Sequence, residues 1–353
     1  MPAPALLVDV GGTLVVREGG GLLSRVLVEL SARRPDAVTD DTRALLARAL
    51  QTGVTRSGAV EAVVAALPWA ASLRGELEAV VGAPDGACTV LPGAPELLRA
   101  ARAAGLRVVA CTNAPAWQEP LPPAVAGGLD ATVSSAEEGA VKQDPGFWAG
   151  LVARGAIDPA VSILVGDDPI ADGAVPSRVG ICSFVVGEAL GLEAVSGWLA
   201  RLGPPPDDAL AVVGGRAERW AGQLIWPAAH LVSLVERVTR RRVSIHVPGR
   251  EEAVRTMLVR RRGRPPALVV PPALAMEEGV AWLSARALAR GARVPPDLAA
   301  AMAAARLSPD ALGEDARRHL YSMVREAKDP VVREERIQDA LRYLHDEAGT
   351  VVS

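Results

Sequence analysis

The residue types that form cross-links or soft metal sites are scarce in this sequence. Among 353 residues there are three cysteines, Cys88, Cys111 and Cys182. Their odd number and scattered positions exclude a disulfide framework and a metal knuckle, so we expect reduced core thiols. All four histidines lie beyond residue 204, which excludes a Ser/His/Asp or Cys/His catalytic set within residues 1–204.

Long hydrophobic runs are also missing. Hydrophobic residues make up 50% of the chain, enough for a sizeable core, but charged residues and glycines interrupt them every few positions. No run approaches the roughly 20 apolar residues that span a bilayer. The N-terminus enters a strand-like segment without the features of a secretory signal. These observations predict a cytoplasmic protein with no membrane partner.

Lysine is nearly absent. Of the 38 basic residues only Lys142 and Lys328 are lysines, and the others are arginines. The planar guanidinium of arginine cannot replace a compact ammonium where a point charge is needed. Lys142 is therefore a candidate functional residue on composition alone.

The charge distribution gives no basis for a nucleic-acid partner. The net charge of −3 divides into −7 for residues 1–204 and +4 for the rest, a small basic excess. Two arginine clusters, at 240–242 and at 260–264, are interpreted as solvated helix ends. Phosphate binding by these clusters is the alternative.

Apolar strands alternate with amphipathic helices through the first two hundred residues. Five short apolar runs predict buried strands at residues 5–10, 106–111, 129–134, 161–165 and 181–186. Helical spacing from residue 22 to about 82 predicts three or four helices inserted after the first strand. The sequence therefore predicts an α/β fold, a doubly wound parallel sheet with a helical insertion at about 20–86.

A proline-rich stretch at 203–208 predicts a linker, and thus domains at 1–204 and 205–353. Apolar residues such as Trp226 and Trp282 fall at helix-compatible positions, so the C-terminal domain is predicted to be mainly helical, with strands near 243–247 and 267–270. Core packing is the default role for these residues. An interface with a second copy of the chain or a protein partner is the alternative. The role of this domain is not predicted.

Candidate functional residues follow the strands. Asp9, Thr112 and the Asp167/Asp172 pair come at or after strand ends, and Lys142 lies in a predicted loop. The segments are Leu-Val-Asp-Val-Gly-Gly-Thr-Leu at 7–14, Val-Val-Ala-Cys-Thr-Asn at 108–113, Val-Lys-Gln-Asp-Pro at 141–145 and Leu-Val-Gly-Asp-Asp at 164–168. In this order, the four resemble the motifs of the haloacid dehalogenase superfamily over about residues 5–200. Taken singly each has a structural explanation, such as a helix N-cap at Asp167 and Asp168.

The resemblance implies a hydrolase of phosphatase type, acting on a small phosphorylated molecule. It implies that Asp9 attacks phosphorus and forms an aspartyl-phosphate. Mg²⁺ would be held by Asp9, the Gly11 carbonyl and Asp167, with Asp172 orienting the ligands. The resemblance further implies that Thr112 and the Asn113 amide bind phosphoryl oxygens, that Lys142 neutralises charge, and that the insertion is a cap that selects substrate.

One position departs from the family pattern. Phosphatases of the family usually carry a second aspartate two residues after the nucleophile, which protonates the leaving group and later activates water. Gly11 occupies this position. General acid/base catalysis contributes about 10²- to 10⁴-fold, so its loss raises the barrier by about 3 to 5 kcal/mol.

Several functions are compatible with Gly11. They include a slow phosphatase, a phosphatase for substrates with good leaving groups, one whose proton donor comes from the cap or substrate, and a catalytically degenerate module that binds phosphate, metal or a protein. Family dehalogenases and phosphonate hydrolases also lack this aspartate, but carbon–halogen cleavage needs no metal, and the acidic pair Asp167 and Asp172 favours Mg²⁺. The 9–13 segment also resembles the first phosphate loop of actin-like sugar kinases, a hypothesis that leaves Lys142 and Asp167 unexplained.

Overall fold

The computed structural model of the chain describes residues 3–84, 86–115, 117–118, 120–207, 209–220, 223–232, 240–246, 253–261, 263–271, 278–285, 294–308, 314–327 and 329–350. The chain forms two compact units, Met1–Ala285 and Arg286–Ser353. The first unit thus continues past residue 204, and the division into domains at 1–204 and 205–353 stays a prediction. Within the described residues, no helix is both long and apolar enough to cross a membrane.

Strands and helices alternate through the first two hundred residues. The strands are β1 (Ala5–Asp9), β2 (Val15–Arg17), β3 (Cys88–Val90), β4 (Arg107–Thr112), β5 (Ala131–Ser134), β6 (Ser162–Gly166) and β7 (Cys182–Val185). The helices are α1 (Leu22–Arg33), α2 (Asp40–Gln51), α3 (Arg56–Ala66), α4 (Arg74–Gly82), α5 (Ala94–Ala103), α6 (Pro123–Ala126), α7 (Ser135–Glu138), α8 (Pro145–Ala153), α9 (Val175–Arg178) and α10 (Leu192–Leu202).

Five of these strands form one sheet in the order β5-β4-β1-β6-β7, and every neighbouring pair is parallel. All residues of β1 and β6 are buried because helices cover both faces. On one face α5 and α10 contribute Leu97 and Trp198 to the core, and on the other α8 contributes Phe147 and Trp148. The predicted α/β fold with a doubly wound parallel sheet is confirmed.

The segment between β2 and β3 folds as four helices around a core of its own. Val26, Leu30, Leu46, Val63 and Leu77 are buried in this cluster. The hydroxyls of Thr39 and Thr55 cap α2 and α3, which explains where these helices begin. A short antiparallel pair of β2 and β3 closes the base of the insertion, and the sequence analysis did not predict it.

Residues 209–285 contain a second sheet, and the prediction of a mainly helical C-terminal domain was wrong for this region. Its strands are β8 (Ala209–Arg216), β9 (Glu218–Trp220), β10 (Gln223–Pro227), β11 (Arg240–His246), β12 (Val254–Arg261), β13 (Arg264–Val270) and β14 (Glu278–Ala285). All neighbouring pairs are antiparallel, in the order β8-β14-β11-β12-β13-β10-β9. The predicted strands near 243–247 and 267–270 correspond to β11 and β13.

The reason for this error is that both faces of several strands are covered. Val280 and Trp282 of β14 pack into the core of the parallel sheet, whereas Ala281 and Leu283 pack into a separate cluster. The strand therefore reads as a continuous apolar run without a period of two, and such a run does not distinguish strand from helix. Trp282 also donates from Nε1 to the Gly203 carbonyl at 3.1 Å.

The described arginines of both clusters lie on strands, so the interpretation as helix ends was wrong. Residues 240–242 begin β11, where they pair with Met257, Leu258 and Val259 of β12. Arg261 ends β12, is buried, and donates from Nε to the Pro265 carbonyl at 3.0 Å. Arg261 therefore has a structural role in the turn to β13.

The second compact unit is helical in its described residues. It contains α11 (Pro296–Ala304), α12 (Glu314–Glu326) and α13 (Pro330–Thr350). Leu298, Leu320, Val324 and Leu344 are buried in one cluster. These helices agree with the mainly helical character predicted for the C-terminal part of the chain.

The cysteines are free thiols, as predicted. Cys111 and Cys182 are buried in the parallel sheet, and burial raises the pKa of each thiol to about 12. Both are therefore uncharged packing residues at neutral pH.

His230 makes the stability of the first unit depend on pH. It is buried, and its Nε2 lies 2.9 Å from the Val212 carbonyl. Burial lowers the pKa of His230 from 6.5 to about 4, against the opposing effect of this carbonyl. Because the folded pKa lies below the unfolded one, the stabilisation is complete above the unfolded value and is lost as the pH falls towards about 4. The loss amounts to about 3 kcal/mol.

His230→Gln should remove this dependence, since glutamine keeps an N–H donor and does not titrate in this range. Chemical denaturation at neutral pH and near pH 4 measures the free energy of unfolding of both proteins. The wild type should lose about 3 kcal/mol more than the variant. Equal losses would show that His230 is not buried in its neutral form.

Candidate active site

Asp9 is the last residue of β1 and is buried at the carboxyl edge of the parallel sheet. The chain turns immediately after it, through Gly11 and Gly12. Gly12 has a φ of +86°, and a Cβ at this position would lie 2.2 Å from Oδ2 of Asp167. Only glycine satisfies both the left-handed backbone and this close approach. Gly12 therefore allows the β1 turn to lie against Asp167 at the end of β6.

Lys142 places its ammonium between two buried carboxylates. Nζ donates to Oδ1 of Asp9, and to Oδ1 of Asp172 at 2.7 Å. Asp9, Lys142 and Asp172 are each at least 95% buried. All three residues are candidates from the sequence motifs, and the structure brings Lys142 into direct contact with both carboxylates.

Backbone contacts hold the Lys142 loop in place. The Lys142 N–H donates to Oδ1 of Asn113 at 2.8 Å, and the buried Trp148 indole donates to the Lys142 carbonyl at 2.8 Å. Nδ2 of Asn113 donates to Gln143 at 2.8 Å. The Asn113 side chain thus positions the lysine loop, a role that the sequence motif did not indicate.

The segment after β6 supplies three carboxylates with different roles. Asp172 is fully buried, and its two oxygens accept from Lys142 Nζ and from the Asp168 N–H, the latter at 3.2 Å. Asp168 caps the helical turn Pro169–Ala174 by accepting from the Ile170 and Ala171 N–H groups. Asp167 is exposed and accepts from the Thr13 hydroxyl at 3.3 Å. Thr13, which is buried, was missed as a site residue although it lies in the same loop as Gly11.

Asp9, Asp167 and Asp172 form an acidic group that fits a hard cation. Each offers a carboxylate oxygen, and these oxygens lie within 4.8 Å of one another. Oδ2 of Asp9 is buried and has no hydrogen-bond partner in the described part of the chain. A buried acceptor without a partner is costly, and oxygen ligands suit Mg²⁺. The residues present therefore fit the metal that the sequence motifs imply.

The electrostatics of the group favour binding of a cation. The pKa of Asp9 is raised to about 7, mainly by burial; the charges of Asp172 and Asp167 add to this increase, and Lys142 opposes it. Burial likewise raises the pKa of Asp172, again against Lys142. Burial alone would lower the pKa of Lys142, but the two carboxylates outweigh it and raise this pKa above its ordinary value. One ammonium does not balance three carboxylates.

A cavity of about 270 Å³ adjoins these residues, between the parallel sheet and the helical insertion. Gly11, Gly12, Thr112 and Asn113 line it on the sheet side. The insertion and the loop after β4 contribute mainly apolar groups and amides: Leu22, Leu23, Leu50, Gln51, Trp117 and Gln118. Thr112 and Asn113, predicted to bind substrate, thus reach the same cavity as the Asp9 turn.

Gly11 leaves open space in this cavity. It is exposed, its φ lies outside the left-handed region, and a Cβ built on it would meet no atom within 4 Å. Neither backbone strain nor crowding therefore requires glycine at position 11.

No protein-family model and no curated protein match this sequence. Among solved structures, a HAD-family enzyme from Bacteroides thetaiotaomicron, crystallised with magnesium and inorganic phosphate, is 16% identical to this chain. The match covers 52% of this chain and 94% of that chain, with a TM-score of 0.37. L-2-haloacid dehalogenase from Xanthobacter autotrophicus with covalently bound chloropropionic acid is 16% identical (56% and 82%; TM-score 0.32). A HAD phosphatase from Thermococcus onnurineus is 17% identical (53% and 90%; TM-score 0.32). Each of these proteins is thus similar to this chain over 52 to 56% of its length.

Proposed function

We propose that this chain is a Mg²⁺-dependent phosphohydrolase of haloacid-dehalogenase type that acts through an aspartyl-phosphate on Asp9. The observation that carries the proposal is the contact of the Lys142 ammonium with both Asp9 and Asp172, beside the exposed Asp167. A carboxylate approaches a phosphate dianion only where positive charge offsets their repulsion. The single lysine of the described residues lies where this charge is needed.

Each residue has a defined task in this proposal. Asp9 attacks phosphorus in line, and Lys142 holds its carboxylate and neutralises charge shared with the phosphoryl group. Thr112 and the backbone amide of Asn113 bind phosphoryl oxygens. The Asn113 side chain is not available for this, because it already bonds to the lysine loop. The helical insertion acts as the cap that excludes water from the cavity.

Asp9, the Gly11 carbonyl and Asp167 would hold Mg²⁺. When bound, the ion supplies positive charge that offsets repulsion between Asp9 and the phosphoryl group. Asp172 is a positioning residue, because both its oxygens already accept from protein donors. Thr13 orients Asp167 through its hydroxyl.

Gly11 supports a second candidate function. A catalytically degenerate domain would keep the acidic group and the cavity as a module that binds phosphate, metal or a protein, and an open glycine at the acid/base position is compatible with that loss. The sugar-kinase alternative is less well supported, since it gives no role to Lys142, which contacts Asp9.

The proposal predicts a specific metal dependence. Asp167→Asn removes a charged ligand but keeps an acceptor for Thr13, so the Mg²⁺ concentration for half-maximal phosphate release should rise at least about 10-fold. A Mg²⁺ titration of phosphate release from acetyl phosphate measures this change. Asp168→Asn is the matched control, because asparagine also caps the helical turn, and its Mg²⁺ requirement should equal that of the wild type.

The same titration tests the function itself. Phosphate release that is equal with Mg²⁺ and with a chelator would contradict a Mg²⁺-dependent phosphohydrolase. Mg²⁺ binding measured calorimetrically without any phosphate release from phosphoesters or acyl phosphates would favour the degenerate module.

A further inference from the structure

The cavity beside Asp9 is poor in groups that transfer protons. Of the described residues that line it, none is Asp, Glu, His, Cys or Tyr. Among these described residues the charged one is Arg17, whose guanidinium donates to the side-chain oxygen of Gln118 at 3.1 and 3.2 Å. An arginine stays protonated at neutral pH and does not act as an acid or base. At position 11 the chain has glycine in place of the acid/base aspartate that the family motif usually carries.

Three described carboxylates near this site, outside the acidic group, are engaged in structural contacts. A second cavity shares Val10 and Thr112 with the first and contains Asp130 and Glu137. Asp130 accepts from the Val108 N–H at 2.8 Å and from Arg102 at 2.9 Å. Glu137 forms the capping box of α7 with Ser134. Asp168 accepts from two backbone N–H groups and from Gln143. These groups serve as structural acceptors.

Loss of the proton-transfer group affects two steps differently. The first step transfers the phosphoryl group to Asp9, and a substrate whose leaving group departs as a stable anion needs no proton there. The second step is attack of water on the aspartyl-phosphate, which no choice of substrate can assist, because the leaving group has already gone. A site built in this way is therefore slow in its second step for every substrate.

We infer that the chain takes phosphoryl groups from small acyl phosphates and accumulates as the Asp9 phosphoprotein. This inference rests on the proposed function, since it requires Asp9 to be the nucleophile. In the first step a bond forms between an Asp9 carboxylate oxygen and phosphorus, the bond from phosphorus to the acyl oxygen breaks, and its electron pair leaves on a carboxylate. Carboxylates are stable anions at neutral pH, so no proton is required. A donor of this class also fits a small, largely apolar cavity of about 270 Å³.

The second step regenerates the protein. Water forms a bond to phosphorus, the bond to Asp9 breaks with its electron pair returning to the carboxylate, and the water proton passes to the phosphate product or solvent. General base assistance is worth about 10²- to 10⁴-fold, and none of the described residues that line the cavity supplies it. The phosphoprotein therefore persists while donor remains.

Rapid mixing of the full chain with Mg²⁺ and acetyl phosphate tests the inference. Intact mass spectrometry after acid quenching should show about one phosphoryl group per chain, formed in a burst before slow phosphate release. Ethyl phosphate, whose leaving group needs a proton, should phosphorylate the chain at least about 100-fold more slowly. Equally fast reaction with both donors, without accumulation of phosphoprotein, would overturn the inference by revealing a proton-transfer group.

Two variants at position 11 separate the effect of an acid/base group from the effect of filling the open space with a side chain. Gly11→Asp should raise steady-state phosphate release by about 100-fold or more and lower the phosphorylated fraction, because the side chain enters open space. Gly11→Asn fills nearly the same space with an amide that is neither acid nor base, so its phosphate release should stay at least about 100-fold below that of Gly11→Asp. Equal acceleration by both variants would contradict the inference. Absence of both phosphorylation and phosphate release with either donor would instead overturn the proposed function itself.

Discussion

Replacing Asp9 with asparagine will lower phosphorylation of the chain and phosphate release by about 10⁴-fold or more, the scale on which nucleophile removal acts. The amide is a poor nucleophile and carries no charge to share with Lys142. The variant should nevertheless fold, since it removes one negative charge from a group that holds three carboxylates and one ammonium. Phosphate release from acetyl phosphate in the presence of Mg²⁺ measures the effect.

A distant aspartate provides the control for this change. Asp158 caps the short helix Pro159–Val161 by accepting from the Ala160 N–H at 3.1 Å, and asparagine caps equally well. Asp158→Asn should therefore retain wild-type activity. If Asp9→Asn also retained it, Asp9 would not be the nucleophile and the assignment of the site would be wrong.

Replacing Lys142 with methionine should destabilise the metal-free protein by about 3 to 5 kcal/mol, the usual effect of breaking a buried ion pair. The substitution keeps the apolar stem and removes the ammonium, leaving Asp9 and Asp172 buried without their shared cation. The free energy of unfolding in a chelating buffer, above the pKa of about 7 of Asp9, measures the loss.

Two further variants show whether the loss arises from charge. In Lys142→Met combined with Asp9→Asn, one uncompensated carboxylate is gone, so the destabilisation should be clearly smaller than in Lys142→Met alone. Lys142→Arg keeps the charge, but its planar fork is larger and should not restore activity. A Lys142→Met protein as stable as the wild type would contradict the buried ion pairs.

The parallel sheet and the positions of its functional groups could be predicted because local patterns determine them. The run at 5–10 is apolar except for Asp9, and two glycines follow it. This pattern is typical of a buried strand that enters a tight turn. Parallel strands carry functional groups at their carboxyl edge, and β1 lies between β4 and β6 in the sheet. Asp9, Thr112 and Asp167 therefore lie together at the carboxyl edge of the sheet.

The sheet of residues 209–285 could not be predicted in the same way. Its strands pack on two clusters at once, as Trp282 and Leu283 show, and strands covered on both faces lose the alternation that identifies a strand. Pairing between β8 and β14 joins residues about seventy positions apart, which no local pattern encodes.

Within the site, the sequence could indicate residue types but not their partners. The motif around Asn113 suggested a phosphate contact, whereas the side chain is used to hold the Lys142 loop. The distinction between Asp167, which is exposed, and Asp172, which is fully buried, depends on the helical turn that Asp168 caps. These assignments required tertiary contacts.

The most direct test of the central proposal is to locate the phosphoryl group on the chain. Borohydride reduces an aspartyl-phosphate to homoserine, so protein mixed with Mg²⁺ and acetyl phosphate, reduced and digested can be mapped by peptide mass spectrometry. Homoserine at position 9, dependent on acetyl phosphate and absent from Asp9→Asn, is the result expected here. Phosphate release without homoserine at this position, or with the label on another residue, would contradict Asp9 as the nucleophile.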